Sequence, residues 1–163
     1  VPLPFDPIAE ASENWKRKGW GAVDAMAAAT SITRAHQILV SRINAALKPV
    51  GLNFSRFEAL ALLSLSGHGE LPLGKVGERL QVHPASVTNT IDRLESDGMV
   101  ERVPHPSDGR TTLARITPAG TRLVEVASEL LGEIEFGLAG MSAADHRATT
   151  GALHSLRANE GDF

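Results

Sequence analysis

Three groups of residues in this chain could do chemistry. The run His105-Pro106-Ser107-Asp108-Gly109-Arg110 holds a histidine, a serine and an aspartate within four positions, the residue types of a serine hydrolase triad. Triad partners converge from separate elements, and no Gly-x-Ser-x-Gly elbow is present, so the run reads as turn chemistry. Gly69, Gly74 and Lys75 match the phosphate loop G-x-x-x-x-G-K. The next residue should be a Ser or Thr that holds magnesium, but it is Val76, and the motif follows a helical pattern where a strand is needed. Six histidines (His36, His68, His83, His105, His146 and His154) raise the question of a metal. None pair at i, i+4 and none lies in H-E-x-x-H, and His36 falls on an apolar face as a packed core histidine would. The sequence therefore predicts no enzyme, no cofactor and no metal site.

The 163 residues carry no cysteine, which excludes disulfides, thiolate metal sites and cysteine redox sensing and fits a reducing cytoplasm. No apolar run approaches 18 residues, so no membrane span is expected. The basic stretch before "DAMAAAT" is not the apolar core of a signal peptide. A hydrophobic fraction of 42% is enough for a core, and the length suits one domain with appended helices. Net charge is −3, distributed as +2 over residues 1–53, −1 over 54–117 and −4 over 118–163. A nucleic-acid surface on this chain must be a local basic footprint.

The elements that must position these residues follow from periodicity and punctuation. Asp6, Pro7 and Gly19 bound a short leading helix, with cations late in it. Ile32, His36, Leu39, Ile43 and Leu47 recur at helical spacing in a long helix over 21–48. Asn53 can cap the next helix, whose inward face is Phe54, Phe57, Leu60, Ala61 and Leu65. A short helix begins near Pro72 or Leu73. Another has Pro84 at its first position, Val87, Ile91 and Leu94 inward, and Gly98 at its end. Residues 99–103 and 111–116 are short β-branched runs joined by a turn holding Asp-Gly, the signature of a hairpin. Thr117 caps a long helix lined by Leu123, Ala127, Leu130, Ile134 and Leu138. Ser142 and Asp145 have capping-box spacing for a last helix. The predicted order is five helices, two strands and two helices.

The helix pair over 73–98 is a helix-turn-helix pattern. Its second helix turns Ser86, Asn89, Thr90 and Arg93 outward with Thr88 nearer the edge, groups that donate to and accept from base edges and phosphates. The following hairpin places Arg110 on an exposed tip, where an arginine can enter an adjacent minor groove. Asp108 is expected to pair with Arg110 and aim it.

Residues 73–120, with V-T-x-x-I-D-R-L-E-x-x-G-x-V-x-R, a proline-containing wing carrying D-x-R, and the helix start "ITPAG", resemble the winged helix-turn-helix of MarR-family transcriptional regulators. The resemblance implies an obligate homodimer in which the first and last helices interlock, and two winged domains that meet a pseudo-palindromic operator. It also implies a small-molecule pocket between the two regions. Carried over, it assigns Ser86, Thr88, Asn89 and Arg93 to the recognition helix, Asp108 and Arg110 to the wing, and Ser55 and Arg56 to phosphate contacts. Asn89 stands where the family often has arginine, and Gly109 replaces a wing arginine, so the positive charge is reduced.

The combined expectation is a mainly α fold with a small β-hairpin wing: dimerisation helices over 1–52, a winged helix-turn-helix over 53–117 and dimerisation helices over 118–163. Its function is that of a DNA-binding transcriptional regulator, a repressor acting as a homodimer on double-stranded operator DNA. The alternative is a winged-helix protein-interaction module. A reversible effector, a small planar organic anion, is expected to be held by Trp20, His36 and Arg42.

Overall fold

The computed structural model describes residues 2–163. Helix α1 (Pro7–Arg17) begins where Asp6 accepts from the Ile8 amide, and it packs along α2 (Val23–Leu47). Asn53 caps α3 (Phe54–Leu65) by accepting from Arg56 N, and Asn44 of α2 accepts from Phe54 N at 2.8 Å, which fixes the start of α3 to α2. Next come β1 (Glu70–Pro72), α4 (Leu73–Leu80) and α5 (Pro84–Ser96). Strands β2 (Val100–Pro104) and β3 (Thr112–Ile116) form the hairpin, followed by α6 (Pro118–Glu133) and α7 (Ala143–Asn159). The fold is mainly α with a small antiparallel sheet, as the sequence indicates.

Leu65, expected on the inward face of α3, is instead 86% exposed at its last turn. Three further expectations are corrected. The hairpin is part of a three-stranded sheet in the order β1-β3-β2, with Glu70 and Glu101 opposite Arg115 on the two sides of β3. Arg115 bonds both carboxylates, so a cross-strand ion cluster adds β1 to the wing. Second, the helix beginning at Thr117 stops at Glu133 and does not run on to Leu138. Glu135, Phe136 and Gly137 are all left-handed (φ 48°, 53° and 83°), a conformation that costs a bulky residue energy and needs outside support. That support comes from Arg42, which donates to the Gly137 carbonyl at 2.7 Å, and from Phe57, whose ring meets Phe136 edge-on at 6.2 Å. Third, His36 is not a core residue: it is exposed on α2 in the single chain.

The core is one cluster. Phe57, Leu60 and Leu63 of α3 meet Val76 of α4, Val87, Ile91 and Leu94 of α5, and Val100 and Ala114 of the sheet. Ile43 and Leu47 from the end of α2 and Val124, Ala127 and Leu131 from α6 join it, so the core runs across residues 53 and 117 in both directions. By contrast, α1 and α7 bury no residue at all in the protomer.

Two glycines set close approaches. A Cβ on Gly77 would meet Val87 Cγ2 at 3.2 Å and the Val82 carbonyl oxygen at 3.3 Å, so a side chain there would have to displace its neighbours by a few tenths of an ångström. A Cβ on Gly120 would come within 2.9 Å of Ile116 Cγ1 and closer still to the Met99 carbonyl oxygen, which is backbone and cannot yield. Thr117, the cap of α6, also donates to the Gly98 carbonyl at 2.8 Å, pinning α6 to the start of the wing. Gly120→Ala should therefore cost about 1–3 kcal/mol of overpacking strain, read as a lower urea midpoint with an unchanged m-value.

Candidate nucleic-acid interface

Helix α5 is positioned by its two ends and its buried stripe. His83 Nδ1 accepts from Ala85 N at 3.2 Å, Pro84 occupies the first turn, and Gln81 takes a left-handed turn (φ 51°) between α4 and α5. With Val87, Ile91 and Leu94 buried, Ser86, Thr88, Asn89 and Arg93 are exposed, as expected. Thr90 is the exception in the outward set: it is half-buried and lies at the boundary with α3. The Thr88 hydroxyl donates back to the Pro84 carbonyl at 3.1 Å, so it offers acceptor lone pairs outward.

The structure brings several of these residues together. Asn53, Arg56, Asn89, Thr90 and Arg93 line one open polar groove between the start of α3 and the middle of α5. Arg93 makes no ion pair among the described residues, whereas Arg56 shares its charge with Asp97 at 3.3 Å. Ser55 is exposed on the other side of α3, near Ser86.

The wing turn is built by Asp108. Its Oδ1 accepts from Arg110 N at 3.0 Å, its Oδ2 accepts from the Thr111 hydroxyl at 2.7 Å, and Thr111 N returns to the Asp108 carbonyl. These bonds, the Thr111 hydroxyl first, hold the Asp108 carboxyl below the usual aspartate range. The turn is therefore fully braced above the ordinary aspartate pKa and is lost only as pH falls through the depressed one. The expected Asp108–Arg110 side-chain pair is absent. Asp108 holds the backbone of Arg110 and leaves the guanidinium exposed, without an ion-pair partner among the described residues. A free guanidinium on a fixed backbone is what minor-groove insertion needs. His105, Arg110 and Thr111 also line a groove with Gly74 and Lys75 at the start of α4. The glycines of the phosphate-loop look-alike thus serve a loop and helix start beside the wing.

One residue that closes the family motif, Arg102, received no role from the sequence. Arg102 on β2 reaches back to α5, pairing with Asp92 at 2.5 Å and with Glu95, while its amide donates to Glu95 Oε1 at 3.2 Å. This double ion pair raises the Arg102 pKa against its partial burial and ties the wing to the reading helix. It also neutralises the two carboxylates that α5 would otherwise present near phosphates.

The expected effector residues do not converge. Trp20 precedes α2 and stacks edge-on with Trp15 at 4.7 Å. Arg42 lies about 28 Å along the helix axis from the start of α2 at 1.5 Å per residue and is committed to the Gly137 carbonyl, and His36 is exposed between them. Within one protomer these three side chains therefore do not meet on one small anion. Among the described residues no three His, Asp or Glu side chains gather as a metal site.

A helix pair with a buried inner stripe, a polar reading face and a hairpin bearing a free arginine defines a winged helix-turn-helix DNA-binding regulator. The MarR family model matches residues 54–112. The organic hydroperoxide resistance transcriptional regulator of Bacillus subtilis is 33% identical over 105 residues, 64% of this chain and 71% of that protein. The crystal structure of Sco5413, a MarR family transcriptional regulator from Streptomyces coelicolor, is 49% identical and superposes with a TM-score of 0.81 over 87% of this chain and 99% of that one. Sco3205 from the same organism, solved in complex with DNA, shares the fold at 18% identity, with a TM-score of 0.76 over 86% of this chain and 89% of that one. The chain belongs to the MarR family of transcriptional regulators.

Arg102→Ala should weaken operator binding about tenfold, roughly 1.4 kcal/mol. Adding Asp92→Asn and Glu95→Gln should recover most of that loss, because it comes from two uncompensated carboxylates. Fluorescence anisotropy with a labelled operator reads both effects. A triple variant as weak as the single one would contradict this role.

Proposed function

We propose that this chain is a homodimeric repressor that reads a pseudo-palindromic operator, with α5 in the major groove and the wing tip in the adjacent minor groove. The observation that carries the reading is the pairing of a free polar face on α5 with a free Arg110, held in fixed relation by Arg102. Ser86, Thr88, Asn89 and Arg93 would contact bases and phosphates, Arg56 and Ser55 the flanking phosphates, and Asp108 would hold Arg110 in position. Repression would be by occupancy of the operator in the cytoplasm, with no catalytic step.

The dimer is supported by what the protomer leaves uncovered. Trp20, Ile32, Ile38, Leu156 and Phe163 are exposed on or beside α2 and α7, and α7 buries nothing. A second copy laid against these helices would bury them symmetrically. The division of labour we propose is dimerisation by residues 1–52 and 118–163, and DNA reading by residues 53–117. Half-sites read by two copies should lie about 10 bp apart centre to centre, or a small multiple of that. With no cysteine, the chain cannot release DNA through thiol oxidation.

Arg110→Ala should cost about 1–3 kcal/mol of operator affinity while leaving the melting temperature unchanged, because the wing tip buries nothing. The loss of sequence preference should fall under the wing in a footprint. Unchanged affinity, or sedimentation of a folded monomer at micromolar concentration, would contradict the proposal.

A further inference from the structure

Behind the reading helix lies a cleft whose rim shares Ser55 and Ser86 with the proposed DNA surface and whose interior has no role so far. It is bounded by α3, α4 and α5 and is small, with a cavity volume of about 40 Å³. Its walls are aliphatic, from Ala59, Val76, Leu80, Val82, Val87 and Ile91. Its polar lining is one carboxylate, Glu58, and the three hydroxyl residues Ser55, Ser86 and Thr90. Glu58 is half-buried, and its side chain makes no hydrogen bond or ion pair with any described residue. The nearest basic residue in sequence, Arg56, is already committed to Asp97.

Burial alone pushes the Glu58 carboxyl up from its ordinary value, as expected for an acid that has lost water and gained no cation. Elsewhere in this molecule partly buried carboxylates have partners: Glu70 has Arg115 and Asp162 has Arg157. A carboxylate facing a largely apolar cleft without a partner is a cost that a bound cation would remove. The three hydroxyls add acceptor oxygens around the same space. An alkylammonium ion has three N–H donors and a compact apolar body. Its head matches one carboxylate and two hydroxyl oxygens, and its body matches the aliphatic walls. An organic anion would meet Glu58 with like charge, and a guanidinium needs a planar bidentate seat that one carboxylate and scattered hydroxyls provide only in part.

We propose that the cleft between α3, α4 and α5 is a binding site for a small aliphatic primary amine, with its ammonium on Glu58 and its alkyl group against Val76, Val82 and Val87. The site goes beyond the DNA-reading function and does not rest on it. An occupant would lie beneath Ser55 and Ser86, so any effect it has on operator affinity is matched by an equal effect of operator on its own affinity.

The test uses the DNA-free full chain and isobutylamine as the probe, with isobutanol and isobutyrate as matched controls, followed by amide chemical shifts. Saturable shifts at Ser55, Ser86 and Thr90 are expected with isobutylamine in the millimolar range, as suits a ligand of five heavy atoms. Neither control should produce them. Glu58→Gln should weaken amine binding at least tenfold while keeping the melting transition. The proposal is overturned if isobutanol shifts the same amides equally, if the amine gives no saturable shift, or if folded Glu58→Gln binds the amine as the native chain does. The comparison of amine with alcohol in the native chain stands by itself should the variant not fold.

Discussion

When α5 packs against α3, α4 and β2, Val87, Ile91 and Leu94 leave water together, and that burial decides the rest. Each such aliphatic side chain contributes about 1.5–3 kcal/mol when fully buried. Rotating the helix by half a turn would give up most of that sum and put Asn89 and Arg93 into the core, at a further cost for unpaired polar groups. One face of α5 is thus fixed by hydrophobic burial, and the opposite face is fixed as a consequence. The reading surface is specific in direction because the core behind it is specific in packing. Gly77 belongs to the same constraint, since a Cβ there would press on Val87 Cγ2 at 3.2 Å.

The wing inherits this order through charge. Arg102 joins β2 to Asp92 and Glu95 on the edge of α5, and Arg115 joins β3 to Glu70 and Glu101. Exposed ion pairs are individually worth little, about 0–1 kcal/mol each, so these clusters do little to hold the fold together. Their effect is geometric. They set where the hairpin points relative to a helix already fixed by the core, and they remove negative charge from a surface that must meet phosphates. On the proposed reading, a chain with net charge −3 meets DNA through a face where Asp92 and Glu95 are paired with Arg102 and Asp97 with Arg56, while Arg93 and Arg110 make no ion pair among the described residues.

What was legible in the sequence was whatever depends on local periodicity and punctuation. The stripe Val87-Ile91-Leu94, the Asn53 and Thr117 caps and the Asp-Gly turn all act over four residues or fewer, and each reappears in the structure. What was not legible depends on pairs remote in sequence. Strand β1 is three residues long and contains a proline, so only its pairing with β3, over forty residues away, makes it a strand. The break at Glu135–Gly137 depends on Arg42 and Phe57 arriving from other helices. Arg102 was legible as the last residue of the family motif, but its pairing with Asp92 and Glu95 of the same motif needs the hairpin to fold back on α5. Trp20, His36 and Arg42 looked like a constellation because their chemistry matched, but helical rise separates them.

Salt dependence of operator binding tests the central claim most directly, that a locally basic reading face on an acidic chain binds DNA. On this account log K falls linearly with log salt concentration, with a slope of about −0.9 for each phosphate neutralised and several phosphates per dimer. A scrambled duplex should retain the steep slope but bind far more weakly. Affinity insensitive to salt, or equal affinity for operator and scrambled duplex at every salt concentration, would contradict it.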